Sequence, residues 1–540
     1  MDTQSGDQLQ ANESSTLGEI EHDSIRARPP LGRTLLVLTA AWAVIFTAAG
    51  TWSAYWSDLR NDQYQLIYLG QRVYDGGRMY VDCWENKPPG IAWVNALGIA
   101  ASRGGQLGAW LLPGLTMLMS LAVFGYALAR TLSIIAACGT LLIAAVVWSL
   151  RLYDTPSVNP DFYSSMFELT ACSLWLVSLD TTRGGRRFWL GIGAGLVWAA
   201  AATVKQTGIA GLLAVSIIVI VLIALKRGDK RRWVITGAWA WIGIVLGLAV
   251  VAAVLAYRHT FGAASEAVFA FNRGLFNLES VAATVTSWSR LRAGLSPVQI
   301  ALWLGVVGAI ATLHSGRANC LTRAVIGAML LWWAGHVLLA LLGPSRSMRY
   351  WQATFPAMLW LAGAGIYHFE DIFRRLEKGY RSALVVVCVT VVVLLGRPLA
   401  EHYQHGLASS RLAYAAEETQ RDRLGAVGRQ IQDVVPEEES IYVWAYDTGV
   451  YLYANRPAAS RFTYPRSTGQ ISEILSDLAG RKPYLLLISE GNSPEFDRWC
   501  DNICHQQLDE ILTRYEMRTV IGRYQAWVRL EAHGESRPAP

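Results

Sequence analysis

Charge is what this chain has least of. Only 16% of its 540 residues are Asp, Glu, Lys or Arg, while 53% are apolar and the mean hydropathy is +0.27. Soluble domains carry roughly a quarter charged residues, so the shortage excludes an ordinary soluble protein. Cysteine is sparse as well, at seven. Cys138, Cys172 and Cys388 lie inside apolar runs and read as packing residues. Cys500 and Cys504 can pair in an oxidising compartment. Their i, i+4 spacing is poor disulfide geometry on a regular helix, and a zinc site there would need two more ligands. Also absent are a nucleophile elbow, a P-loop, a zinc-protease motif and a dinucleotide-binding glycine turn in a suitable context. The net charge of +6 sits in short basic clusters between apolar runs. It therefore speaks for loop orientation and against nucleic acid.

What is present is a series of apolar runs near the length of about 20 residues that crosses a bilayer as a helix. We place eleven spans at 34–52, 106–129, 131–150, 163–180, 188–204, 207–225, 233–257, 297–314, 324–343, 351–367 and 382–397. With the N-terminus inside, the inner loops hold Arg130, then Arg183/Arg186/Arg187, then Lys226/Arg227/Lys230/Arg231/Arg232. Arg317/Arg323 and Arg374/Arg375/Lys378/Arg381 follow. Basic residues favour the cytoplasmic side, and the large clusters obey. Two smaller pairs, Arg290/Arg292 and Arg346/Arg349, fall on the other side. Residues 90–103 are apolar but too short to cross, and read as an interfacial helix in the first outer loop. The expected class is mainly α, a polytopic membrane protein. Residues 1–33 form a cytoplasmic disordered tail and 34–397 the membrane domain. Residues 398–540 form an extracytoplasmic α/β domain with helices near 416–434, 468–480 and 494–514, strands at 440–445 and 483–489, and a hairpin near 516–531.

This parity puts the unusual polar residues on one outer face. Between the first two spans runs YWSDLRNDQYQLIYLGQRVYDGGRMYVDCWENKPP (55–89). Carboxylates beside a bilayer are costly unless they pair or work. Asp62 reads as a general base for an attacking hydroxyl, or as a solvated loop carboxylate, with Asp58 as its competitor. Asp161, in NPDF, is either the acid of a helix start or a second carboxylate facing Asp62. Lys87 is held by two prolines and suits a phosphate leaving group, or else is a snorkelling interfacial lysine. Glu85 is its natural partner. Lys205–Gln206 interrupts an apolar stretch at the outer boundary. Arg346 and Arg349 stand beside Tyr350. All are phosphate-contact candidates, or span-end anchors. His336, inside a span, reads as a packing residue.

With these residues in place, the membrane part resembles the GT-C membrane glycosyltransferases, among them the dolichyl-phosphate-mannose protein mannosyltransferases and the bacterial aminoarabinose transferases of lipid A. The resemblance rests on the first-loop acid in NDQYQLIYLGQRVYDGGRMYVDCWENKPPG, the acid in NPDF, and the order of spans. It implies an inverting transfer of one sugar from a polyprenyl-phosphate donor to an acceptor outside the cytoplasmic membrane. Asp62 or Asp161 would be the base, and Lys87, Lys205, Arg346 and Arg349 would contact the donor phosphate. Gln63, Tyr68, Gln71, Arg72, Glu85, Asn86, Pro88, Gln206 and Tyr350 would complete the pocket. The family often has an Asp-Glu pair where this chain has Asp62-Gln63, so the second acid is missing. No cofactor is required, and a divalent metal is unsupported. The implied partners are the lipid-linked donor, membrane lipids and a protein, lipid or glycan acceptor. The competing readings are a flippase of lipid-linked saccharide and a scaffold without activity. A flippase would place ionisable residues near the midplane, in repeated halves.

Overall fold

The structure, a computed structural model, describes residues 30–57, 61–150, 153–224, 230–275, 292, 294–314, 320–342, 347–377, 380, 423–489 and 500–530. The expected span 382–397, Asp58, Arg346, Cys388 and residues 1–29 lie outside these.

The first helix, α1 (Pro30–Ser57), begins within the stretch expected to be a disordered tail. The first polar loop is itself helical in two places, α2 (Asn61–Tyr74) and α3 (Gly90–Ala101). Then follow α4 (Leu107–Thr131), α5 (Ile134–Val147), α6 (Pro160–Asp180), α7 (Gly184–Val204), α8 (Ala210–Ala224), α9 (Lys230–Tyr257), α10 (Gln299–His314), α11 (Cys320–Leu342) and α12 (Phe355–Arg375). Among the described residues eight helices are long and apolar enough to cross a membrane, so the chain is a multi-pass membrane protein. They match eight of the eleven expected spans. The expected span 131–150 is the 14-residue α5, and 351–367 belongs to α12, whose last turn is basic. Val37, Leu38, Ile45, Leu115, Met119, Val245 and Val250 leave large apolar surfaces exposed. In water that would be unfavourable, and against lipid chains it is not.

Helix ends show how the bundle is oriented. Arg130, at the end of α4, donates to Asp180, at the end of α6 (2.9 Å), and Ser178 donates to the Arg187 carbonyl at the start of α7 (2.9 Å). These basic loops thus share one end. The start of α6, the end of α7 and the start of α12 meet at the opposite end. One ionisable pair lies between the ends: Glu168 of α6 accepts from the Trp332 indole (2.8 Å) and faces His336 of α11 (3.0 Å), both almost fully buried. The polar residues are therefore less confined to one face than the sequence suggests.

The C-terminal part packs on α2. It comprises α13 (423–434), β1 (Ile441–Trp444), α14 (Gly449–Ala454), α15 (Thr468–Arg481), β2 (Leu485–Ser489), α16 (Asn502–Leu512), β3 (Tyr515–Ile521) and β4 (Tyr524–Arg529). The sheet order is β1-β2-β4-β3, with β1 and β2 parallel and the other pairs antiparallel. All of β1 and the Leu485–Leu487 run are buried, as a parallel pair covered on both faces requires; the edge strand β3 is largely exposed. Cys500 and Cys504 form a disulfide with Cα atoms 5.2 Å apart. The i, i+4 objection fails because Cys500 precedes the helix: Asp501 caps α16, so the pair does not share a regular helical turn.

Candidate active site

Local devices place several of the candidate side chains. Asn159 caps α6 by accepting from the Phe162 amide (2.8 Å), with Pro160 at the first helical position, where its missing N–H costs nothing. The cap is thus already supplied, and the Asp161 carboxylate instead forms an ion pair with Lys205. Lys205 is the single extended residue between α7 and the 3₁₀ turn Gln206–Ile209, so the break in the apolar stretch aims its ammonium sideways. Lys87 is fixed from three sides. The Tyr80 hydroxyl donates to its carbonyl (2.8 Å), Pro88 and Pro89 follow, and Gly90 lies so close to α7 that a Cβ would meet the Thr203 carbonyl oxygen at 2.6 Å. That contact brings the Lys87 loop against the end of α7, beside Lys205.

Asp62, on the first turn of α2, accepts from Arg349 (2.8 Å) and from the Tyr446 hydroxyl of the C-terminal part (2.5 Å). Glu85, 1% exposed, accepts from Lys87 Nζ (2.8 Å) and from both terminal nitrogens of Arg466 (3.2 and 3.3 Å). Arg466 also donates to Asn86 (2.9 Å). Lys205 and Arg349 share the Tyr350 ring, at 4.8 and 5.7 Å from its centroid. Gln206 reaches the Asn86 carbonyl (3.4 Å), which also accepts from Asn272 (2.7 Å). The result is a closed network in which Lys87, Lys205, Arg349 and Arg466 face Asp62, Glu85 and Asp161, one positive charge in excess.

Burial disfavours the charge of Asp62, but Arg349, the Tyr446 hydroxyl and Lys87 outweigh it and hold the carboxyl well below the usual carboxylate range. Glu85 behaves likewise: burial is opposed by Arg466 and Lys87, and its pKa falls. Both stay ionised at neutral pH. Asp62, whose side chain is 34% exposed, is the reachable carboxylate; Asp161, at 2%, is sealed by Lys205. Among the described residues no three His, Cys, Asp or Glu side chains gather as a metal site would need.

Residues 86–257 match the family described as dolichyl-phosphate-mannose-protein mannosyltransferase. A sequence comparison with curated proteins finds no match. In three dimensions the chain is similar to ArnT from Cupriavidus metallidurans bound to undecaprenyl phosphate, with TM-score 0.54 and 16% identity, covering 91% of this chain and 97% of that one. It is also similar to the archaeal oligosaccharyltransferase AglB from Archaeoglobus fulgidus in complex with an inhibitory peptide and a dolichol-phosphate, with TM-score 0.55 and 11% identity, covering 93% and 75%. Both are GT-C proteins. This chain has the GT-C fold.

Within the GT-C frame the structure brings together Asp62, Asp161, Lys87, Lys205, Arg349, Glu85, Asn86, Gln206 and Tyr350, with Pro88 buried behind them. It separates others expected in the same pocket. Gln63 turns away and donates to Asp154 (3.3 Å). Tyr68, Gln71 and Arg72 line a different cavity, of about 820 Å³. The helical form of this loop is the reason: successive residues rotate by about 100°, which carries the later side chains of α2 away from Asp62.

Sequence reading missed Arg466, Tyr446, Tyr464 and Asn272. Arg466 is held at the start of α15: Ser467 caps the helix and the Gln470 side chain accepts from the Arg466 amide (2.7 Å), a variant of the capping box. Locally, Tyr464-Pro465-Arg466-Ser467 sets a cation beside an aromatic, a proline and a cap, but carries no sign of the Glu85 it meets 381 residues away.

Proposed function

We propose that the protein is a membrane glycosyltransferase that moves one sugar, with inversion, from a polyprenyl-phosphate donor to an acceptor hydroxyl on the extracytoplasmic face of the cytoplasmic membrane. The network of four cations against three carboxylates carries this reading. It lies where the spans end, so a lipid tail can stay in the bilayer while its phosphate enters the network. The surplus charge matches a singly charged phosphodiester. The ArnT and AglB structures hold undecaprenyl phosphate and a dolichol-phosphate, ligands of that chemistry.

In the proposed step the acceptor oxygen attacks the anomeric carbon, and the bond from that carbon to the phosphate oxygen breaks. The electron pair leaves on the polyprenyl phosphate, and the acceptor proton passes to Asp62. Lys87 and Lys205 stabilise the growing phosphate charge, the largest kind of contribution an enzyme makes to such a step. Asp62 paired to Arg349 is a weak base. A donor phosphate that draws Arg349 toward itself restores the basicity of Asp62, so the base is activated only when donor is bound. The domain bounds at 33/34 and 397/398, the inside N-terminus and the outside C-terminal domain belong to the same proposal. So does hexosyl or pentosyl transfer.

The test is transfer in membranes from radiolabelled polyprenyl-phosphate hexoses and pentoses, comparing wild type with Asp62→Asn and Lys87→Ala. We expect donor consumption by wild type and a loss of about 100-fold or more in each variant. Donor consumed equally by all three would show that the chemistry lies elsewhere. Donor that crosses the membrane unconsumed would show a flippase.

A further inference from the structure

The cavity of about 820 Å³ lies on the side of α2 away from Asp62, between the ends of α1 and α4 and the C-terminal part. It shares no lining residue with the charged network. Its size falls within the range of sites that enclose small ligands. Its walls carry aromatic rings from three directions: Tyr55 and Trp110 from the span ends, Tyr68 from α2, and Tyr451 and Tyr453 from α14. Tyr55 and Trp110 meet edge to face at 6.2 Å; Trp110, Tyr68 and Tyr451 are buried in the wall, and the half-buried Tyr55 and Tyr453 are the rings a ligand can reach. Between the rings stand the amide side chains of Gln71, Gln106, Gln432 and Asn455. The ionised groups balance, with Arg72, Arg103 and Arg456 against Asp75, Glu437 and Glu438.

We infer that this cavity binds a neutral saccharide. Aromatic faces receive the C–H faces of sugar rings, while amides and charged forks hydrogen-bond hydroxyls in pairs. Balanced charge disfavours a phosphate or an anionic headgroup. Six ionised groups disfavour a lipid chain, since desolvating them against hydrocarbon is costly. A peptide adding to a sheet would need a free strand edge, and among the described residues no strand lines the cavity. Tyr68 and Gln71 stand six and nine residues beyond Asp62, about 9 and 14 Å along α2 at 1.5 Å per residue. The site therefore holds sugar units remote from the reacting hydroxyl. It makes the acceptor a glycan or a glycosylated molecule, and rests on the glycosyl-transfer reading for that role only.

The experiment is equilibrium binding of linear hexasaccharides of mannose, glucose and N-acetylglucosamine, and of a Ser/Thr-rich peptide, to the detergent-solubilised full chain. Leu107→Trp fills the cavity from an exposed position, and Gln432→Ala removes an exposed hydrogen-bonding arm. We expect at least one hexasaccharide to bind, and both variants to weaken it about 10-fold or more. The inference is overturned if no hexasaccharide binds, if one binds and Leu107→Trp and Gln432→Ala leave its affinity unchanged, or if the peptide binds in their place. Donor consumption measured on the same preparation reports on the charged network separately, so either reading can fail without the other.

Discussion

Two concavities flank α2, and they differ in how their charges are used. On the Asp62 side every ionised group already has a partner, and the site is closed by its own ion pairs. On the Tyr68 side the cavity is open and its lining charges cancel. A site closed by internal pairs can admit only a ligand that replaces one partner, which for the cations means an anion. An open, neutral, aromatic site selects for shape and hydroxyl pattern instead. One helix thus separates recognition of charge from recognition of surface.

The largest effect expected is on catalysis. Asp62→Asn removes the reachable carboxylate and should lower transfer by about 100-fold or more while leaving the fold intact, read by kcat in the membrane assay. If transfer falls equally in Leu107→Trp, the two sides are not separate and the comparison breaks.

Next comes stability. Arg466→Ala strips a partner from a carboxylate that is 1% exposed. Leaving a buried charge short of a partner costs about 3 kcal/mol, here moderated by Lys87, which remains. Thermal unfolding in detergent should drop by several degrees. Glu85→Gln placed on Arg466→Ala should recover part of the loss, since the short-partnered buried carboxylate is then neutral and Lys87, only partly buried, can turn to solvent. No recovery would mean that Arg466 acts through packing alone.

A smaller effect lies in the acid limb. Both Asp62 and Glu85 have folded-state pKa values below their unfolded ones. Such a group stabilises the fold fully above its unfolded value, near 4. The stabilisation is lost as pH falls from there towards the depressed folded value, because the unfolded chain takes up protons first. The melting temperature should therefore be flat with respect to these groups from about pH 5 upward and fall below pH 4. Asp62→Asn and Glu85→Gln should each flatten that fall. Cavity variants such as Gln432→Ala should leave it unchanged.

How much was legible in the sequence follows from the range of each cause. The Lys87-Pro88-Pro89-Gly90 turn is local: prolines restrict the backbone within a residue or two, and so the loop could be read. Asp161 and Lys205 were legible as the ends of apolar runs, because a span's limits show in composition. The C-terminal strands could be read from their buried runs. Arg466 and Tyr446 were not legible as site residues, because they meet Glu85 and Asp62 across 381 and 384 residues. Nothing local announces such a contact. Tyr68, Gln71 and Arg72 went to the wrong pocket because the stretch was taken as a loop. As a helix it turns them from Asp62, and one error of secondary structure moved three side chains together.

The most direct test of the central account is equilibrium binding of undecaprenyl phosphate to the purified full chain, in wild type, Lys87→Ala, Lys205→Ala and Asp62→Asn. If phosphate enters the network by taking cations from carboxylates, each lysine variant should weaken binding by about 10-fold or more, the scale of a charged hydrogen bond. Asp62→Asn should bind as well as wild type or better, since the carboxylate no longer competes for Arg349. Equal affinity in all four proteins, or weaker binding only in Asp62→Asn, would contradict the account.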